Sequence, residues 1–103
     1  MSAAAPPKDP EVPLAVTKEV HMHAEEIDFA IAAAKKSFQS LIRNDIRLWQ
    51  EVAEAIKKEF DAHYKGTWHV IVGQHFGAFV THETHHMICF KMGGVNFLIF
   101  RHG

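Results

Sequence analysis

The sequence predicts an α+β domain, two helices packed on an antiparallel β-sheet, and three observations predict it. All six glycines fall at or after Gly66, so a Gly-free first half rich in Ala, Lys and Glu precedes a β-branched, aromatic, Gly-punctuated second half. Apolar residues recur at helical spacing in the first half and alternate at strand spacing in the second. Gly93-Gly94 between two apolar runs is a two-residue hairpin signal. Helices and sheet each bury one apolar side, and a run of helices followed by a run of strands does so in two layers.

The elements follow in order. All four prolines lie in the first thirteen residues beside Ala3–Ala5, so residues 1–15 read as a flexible tail and 16–103 as the domain. Ile27, Ile31, Ala34, Phe38 and Leu41 then recur along one face of a helix. Asn44 and Asp45 are suited to cap a second helix, which buries Val52, Ile56 and Phe60 and exposes Glu51, Glu54, Lys57 and Lys58. Glu54 precedes Lys58 by one helical turn, the favourable order for that pair, and Lys65-Gly66 ends the helix. Four strands are expected after it, at Thr67–Val72, Phe76–Thr81, His86–Met92 and Val95–Arg101.

Composition bounds the function. With 103 residues the chain is one small domain whose modest core would benefit from association. A formal net charge of −1 gives no reason to expect a nucleic-acid partner. Acids are uneven, since only Glu83 follows Asp61, whereas seven of the nine histidines follow Ala62. Mild acidification would therefore make the C-terminal part cationic. The one cysteine, Cys89, has no intramolecular partner and suits a reducing compartment. No apolar run approaches the roughly 20 residues of a membrane span, and no signal-peptide core is visible at the N-terminus. A cytoplasmic protein without a membrane partner is the expectation.

The most tempting chemistry is His82-Glu83-Thr84-His85-His86, which matches the H-E-x-x-H pattern of zinc proteases. That reading needs a helix, where both histidines project onto one metal. Here the flanks, Phe79-Val80-Thr81 and Met87-Ile88-Cys89-Phe90, are strand formers. On an extended strand residues four apart lie roughly 13 Å from each other, beyond one tetrahedral zinc. Cys89 in an apolar strand reads as a small hydrophobe rather than a nucleophile. Gly73 and Gly77 sit among strand residues and form no phosphate loop, and the macrodipole at a helix start explains Glu25-Glu26. Neither catalytic residues, a metal site nor a cofactor is expected.

The sheet itself remains. Phe76–Thr81 is short, apolar on both faces and uncharged, so it is either a central strand of the monomer or an edge covered by another chain.

Lys57-Lys58-Glu59-Phe60-Asp61, Tyr64, Thr67-Trp68-His69, Ile71-Val72-Gly73, Phe76-Gly77, Val80-Thr81-His82-Glu83-Thr84 and His86 follow one another within Lys57–Gly103. With these residues the segment closely resembles the eight-kilodalton dynein light chain family. A glycine before an apolar strand, a basic residue and a terminal glycine close the run in the same way. Upstream the similarity is looser: Val16-Thr17-Lys18 and Met22 before Glu25-Glu26 resemble the family's first strand and helix start.

The resemblance implies a strand-exchanged dimer in which Phe76–Thr81 crosses to the partner's sheet. It also implies grooves at the interface that take linear segments of disordered partners, dynein intermediate chains among them, as added strands. Carried over by position, the groove is lined by His75, Phe76, Gly77, Ala78, Phe79, Val80, Thr81 and His82. Met87, Cys89, Lys91, Asn96 and Leu98 add to it from neighbouring strands, with Lys18 near one end. His69, Phe76, Gly77, Phe79 and Thr81 make the dimer interface, with a second copy or a related light chain. Departures stand at Phe79, Cys89 and Lys91, where the family has tyrosines, and at Trp49-Gln50, where it has a Glu-Lys pair. They imply a divergent paralogue serving few partners, as in ciliary and flagellar dynein arms. The rival expectations are a dynein-independent dimerisation hub and a zinc hydrolase using His82, Glu83 and His86.

Overall fold

A computed structural model describes residues 14–43, 45, 48–76 and 86–102. They run β1 (Ala15–Met22), α1 (Ala24–Ile42), α2 (Trp49–His63), β2 (Thr67–Gly73), β3 (His86–Met92) and β4 (Val95–His102). Both helices start on the same device. The carboxylate of Glu26 accepts the His23 backbone N–H at 3.2 Å, and that of Glu51 accepts the Leu48 N–H at 3.0 Å. A glutamate three residues into the helix thus caps it from inside, close to the positive end of the macrodipole.

That device corrects the expected start of α2. Leu48, in extended backbone, is its N-cap, whereas Asp45 lies in a bend with its N–H on the Ser40 carbonyl at 2.9 Å. Asn44 lies outside the described residues. The Glu51 N–H in turn closes on the Leu48 carbonyl at 2.9 Å, so the first turn starts at Leu48 without an Asn or Asp at the cap. The helix ends at His63, with Tyr64 N–H closing on the Phe60 carbonyl at 2.9 Å. Gly66, at φ +94°, then turns the chain into β2, and the Arg101 side chain occupies the space that a Cβ there would need.

One core lies between the helices and the sheet. Val52, Ile56 and Phe60 enter it from α2 as expected. From α1 the deepest residues are Ala30, Ala33, Ala34 and Ser37, while Ile27, Ile31, Phe38 and Leu41 pack along its flanks, half-buried. Small residues at the centre let the helix lie close, and the large ones fill the margins. Trp68, Ile88, Phe90, Met92, Phe97 and Ile99 complete the core from the sheet, with Phe90 and Phe97 stacked at 4.9 Å between centroids.

The sheet is antiparallel throughout, in the order β1-β3-β4-β2. Its fourth strand is β1, for which only the family resemblance gave a sign. The expected strand at Phe76–Thr81 lies outside the described residues except for Phe76, which follows β2 and belongs to no strand. The register of β1 on β3 shifts between Thr17 and Glu19, leaving Lys18 as the extra residue of a bulge. Before the bulge Ala15 and Thr17 face Met92 and Phe90; after it Val20 and Met22 face Ile88 and His86. The bulge keeps apolar residues on the helix side at both ends of the strand.

Candidate functional site

Alternation places every second strand residue on the side of the sheet away from the helices. Paired registers arrange that side in three rows: Val16, Lys91, Asn96 and Gly73; Glu19, Cys89, Leu98 and Ile71; His21, Met87, Phe100 and His69. The rows grade from polar and basic at one end, through an apolar middle, to a histidine-flanked end. Met87 and Leu98 are 6% and 5% exposed although neither belongs to the helix-side core. Cys89 and Ile71 beside them are half-buried.

The basic end is tied down by one residue. Asn96 Nδ2 donates to the Gln74 carbonyl at 3.0 Å, which orients its Oδ1 to accept from Lys18 Nζ at 3.4 Å. The bulge aims Lys18, so that its ammonium crosses β3 to reach β4. Lys91 stands directly opposite Asn96 and is exposed. Burial pushes the Cys89 thiol above its ordinary pKa; the Lys18 charge opposes that rise and the Glu19 charge adds to it. Such a thiol stays protonated at neutral pH and is a weak nucleophile.

At the other end His69 stacks on Phe100, centroids 5.2 Å apart, and meets His102 edge-on at 6.2 Å. His69 is exposed on this side of the sheet, and Glu19 pairs with His21 at 3.1 Å. Of the expected groove residues, Lys18, Met87, Cys89, Lys91, Asn96 and Leu98 therefore share one surface. His75 and Phe76 lie exposed just beyond β2. Gly77, Ala78, Phe79, Val80, Thr81 and His82 lie outside the described residues. Trp49 is half-buried against the core at the start of α2, and Gln50 is exposed.

The metal-like motif ends on a strand. His86 is the first residue of β3, its side chain on the helix side against the edge of Trp68, with ring centroids 6.1 Å apart. Its Nδ1 lies 3.7 Å from a carboxylate oxygen of Glu26, which is 7% exposed. Sequence reading missed this contact because the macrodipole sufficed to explain Glu26. The same carboxylate, with Glu25, adds to the burial that raises the Tyr64 pKa. Among the described residues no three His, Cys, Asp or Glu side chains cluster as metal ligands, and no helix is long and apolar enough to cross a membrane.

Comparison with known proteins identifies the family and the fold. The family model "Dynein light chain type 1" matches residues 14–102. A dynein light chain of Schistosoma mansoni is 42% identical over 89 residues, covering 86% of this chain and 94% of that protein. Among solved structures, the dynein light chain-like domain of the Fasciola hepatica calcium binding protein FhCaBP2 superposes with a TM-score of 0.68 at 18% identity, over 88% of this chain and 93% of that one. A mercury derivative of the same domain gives 0.65 at 18% identity, over 86% and 92%. Two helices on this sheet are thus the dynein light chain fold, and identity over nearly the whole length carries more than the fold. The chain belongs to the dynein light chain family, a non-catalytic, cytoskeleton-associated component of the dynein motor complex.

Proposed function

We propose that this light chain works as a dimer that holds extended segments of partner chains, dynein intermediate chains first among them, as added β-strands in a ciliary or flagellar dynein arm. The observation that carries this reading is the position of β2. It is an outer strand with no described strand beyond it, and it borders a sheet face whose middle is apolar. An open edge of that kind invites pairing with another chain. Phe76, exposed where the chain leaves β2, supports an exchange of the following segment with a partner subunit. The partner subunit is a second copy or a related light chain, and two grooves per dimer give a bivalent partner the benefit of effective concentration. Lys91 and Trp49-Gln50 support a dedicated partner, because they replace the aromatic floor and the acidic-basic pair through which family members take a glutamine-centred motif.

Sedimentation of the wild-type chain, alone and co-expressed with a second light chain, tests the dimer. Ile71→Glu places a charge against Leu98 in the apolar middle of the free face. Desolvating that charge at an interface should weaken association about a hundredfold or more while the helical circular dichroism persists. A chain that stays monomeric under both conditions, or a dimer indifferent to Ile71→Glu, would refute the reading.

A further inference from the structure

We infer that the Lys18–Lys91 end of the free face selects a carboxylate, so that the strand held there carries an Asp or Glu at one fixed position. The inference rests on the strand-addition reading above and names the chemistry of the segment it takes. Three features of the structure lead to it.

The bulge delivers a second cation to a place where regular pairing would put one. Lys91 belongs to this face by its register opposite Asn96, and Lys18 arrives by crossing from β1. The Asn96 amide is held in one orientation by the Gln74 carbonyl. Its carbonyl oxygen accepts from Lys18 at 3.4 Å, and among the described residues Lys91 forms neither a hydrogen bond nor an ion pair. Two lysines at this end of the face have a neutral amide and no acid of their own row beside them, so a carboxylate bound there would gain charge-assisted hydrogen bonds.

The face supplies almost no acid of its own. Glu19 is its one carboxylate among the described residues; it lies a row away from Lys91 and is paired with His21. β2, β3 and β4 contribute none. A lysine-rich segment would therefore be repelled at this end and an acidic one attracted. An extended peptide suits the surface better than a nucleic acid, since the two cations end a short apolar track rather than continuing along a basic groove.

The test is selection from a phage-displayed random decapeptide library on the wild-type chain and on the double variant Lys18→Gln/Lys91→Gln. Both lysines are exposed, so the variant keeps its fold, which circular dichroism verifies. Peptides selected on the wild type should carry Asp or Glu at one position. Exchanging that residue for its amide should weaken binding roughly tenfold in fluorescence anisotropy at low salt, and less as salt is raised. On the double variant the same exchange should matter less than about twofold. Enriched peptides without an acidic position, or an acid dependence that survives in the double variant, would overturn the carboxylate site and leave strand addition standing. No enriched peptide on either folded protein would overturn both. Capture of an oligothymidylate by the wild type alone, without any enriched peptide, would assign the lysines to phosphate instead.

Discussion

The two faces of this sheet are written by alternate residues of the same strands, yet they are built on different terms. Toward the helices, Trp68, Phe90, Phe97, Ile88, Ile99 and Met92 are fully buried, and aromatic rings fill the space between layers. Away from them, burial is confined to Met87 and Leu98, with Cys89 and Ile71 half-covered and Lys91, His69 and His102 in solvent. A closed face must match its neighbours in volume and tolerates little change. A face that no described element covers can vary residue by residue, and it is here that the departures from the family at Cys89 and Lys91 stand. The difference separates the face that encodes the fold from the face to which the proposed partner choice is assigned.

Phe97→Ala should produce the largest effect, a loss of about 3–5 kcal/mol, because it removes a fully buried ring stacked on Phe90. Urea unfolding at a series of protein concentrations measures it, since association adds its own stability. Leu98→Ala, one residue on and on the opposite face, should cost less stability at high dilution, because the side chain removed is smaller and its neighbours Cys89 and Ile71 are only half-buried. Equal losses at high dilution would erase the distinction between the faces.

A second expectation concerns the seam where α2 meets β2 on the closed side. Asp61 accepts from Lys57 Nζ and from the Trp68 backbone N–H at 3.2 Å. The Lys57 hydrogen bond, more than partial burial can offset, holds its carboxyl below the ordinary carboxylate range. With the folded pKa depressed, its contribution is present above the unfolded value of about 3.9 and is lost as pH falls through the folded one. The carboxylate is largely solvated, so the contribution is small and salt-sensitive. Unfolding midpoints between about pH 5 and pH 2.5 should therefore fall less steeply in Asp61→Asn than in the wild type. Parallel profiles would show that this tether contributes nothing.

The smallest effect is kinetic and belongs to the open side. The raised pKa of Cys89 predicts slow modification by a thiol reagent at neutral pH, and Lys18→Gln should slow it further by removing the charge that opposes the rise. With a single cysteine the rate is read without interference. Faster labelling in Ile71→Glu than in the wild type would indicate that association covers this face. Equal rates would leave it open in both.

Most of the closed face was legible because periodicity reports it directly. Val52, Ile56 and Phe60 recur at one turn, and Ile88, Phe90 and Met92 at every second strand residue. The centre of α1 was not, because a search for large apolar residues finds Ile31 and Phe38 and passes over Ala30 and Ala33, whose smallness is what permits close packing. The start of α2 differs from expectation for a related reason: Asn44 and Asp45 stand before the helix as polar cap candidates, whereas the carboxylate at its start, Glu51, lies inside it. The signal was present as a glutamate three residues into both helices. On the other face, the resemblance names Met87, Cys89 and Lys91 together, in keeping with strand alternation, but the reach of Lys18 to Asn96 depends on a bulge that no local pattern announces.

The bulge also separates two kinds of constraint that usually fall on one residue. Ala15 anchors β1 from one end, Val20 and Met22 from the other, and the two anchors are out of phase by one position. Deleting residue 18 would force a choice between them, expelling one apolar group into solvent. Its presence is therefore obligatory, yet its identity is not, since no core contact depends on the side chain. Position 18 is a spacer with a second use: the strand requires its length, and the proposed carboxylate site uses its charge.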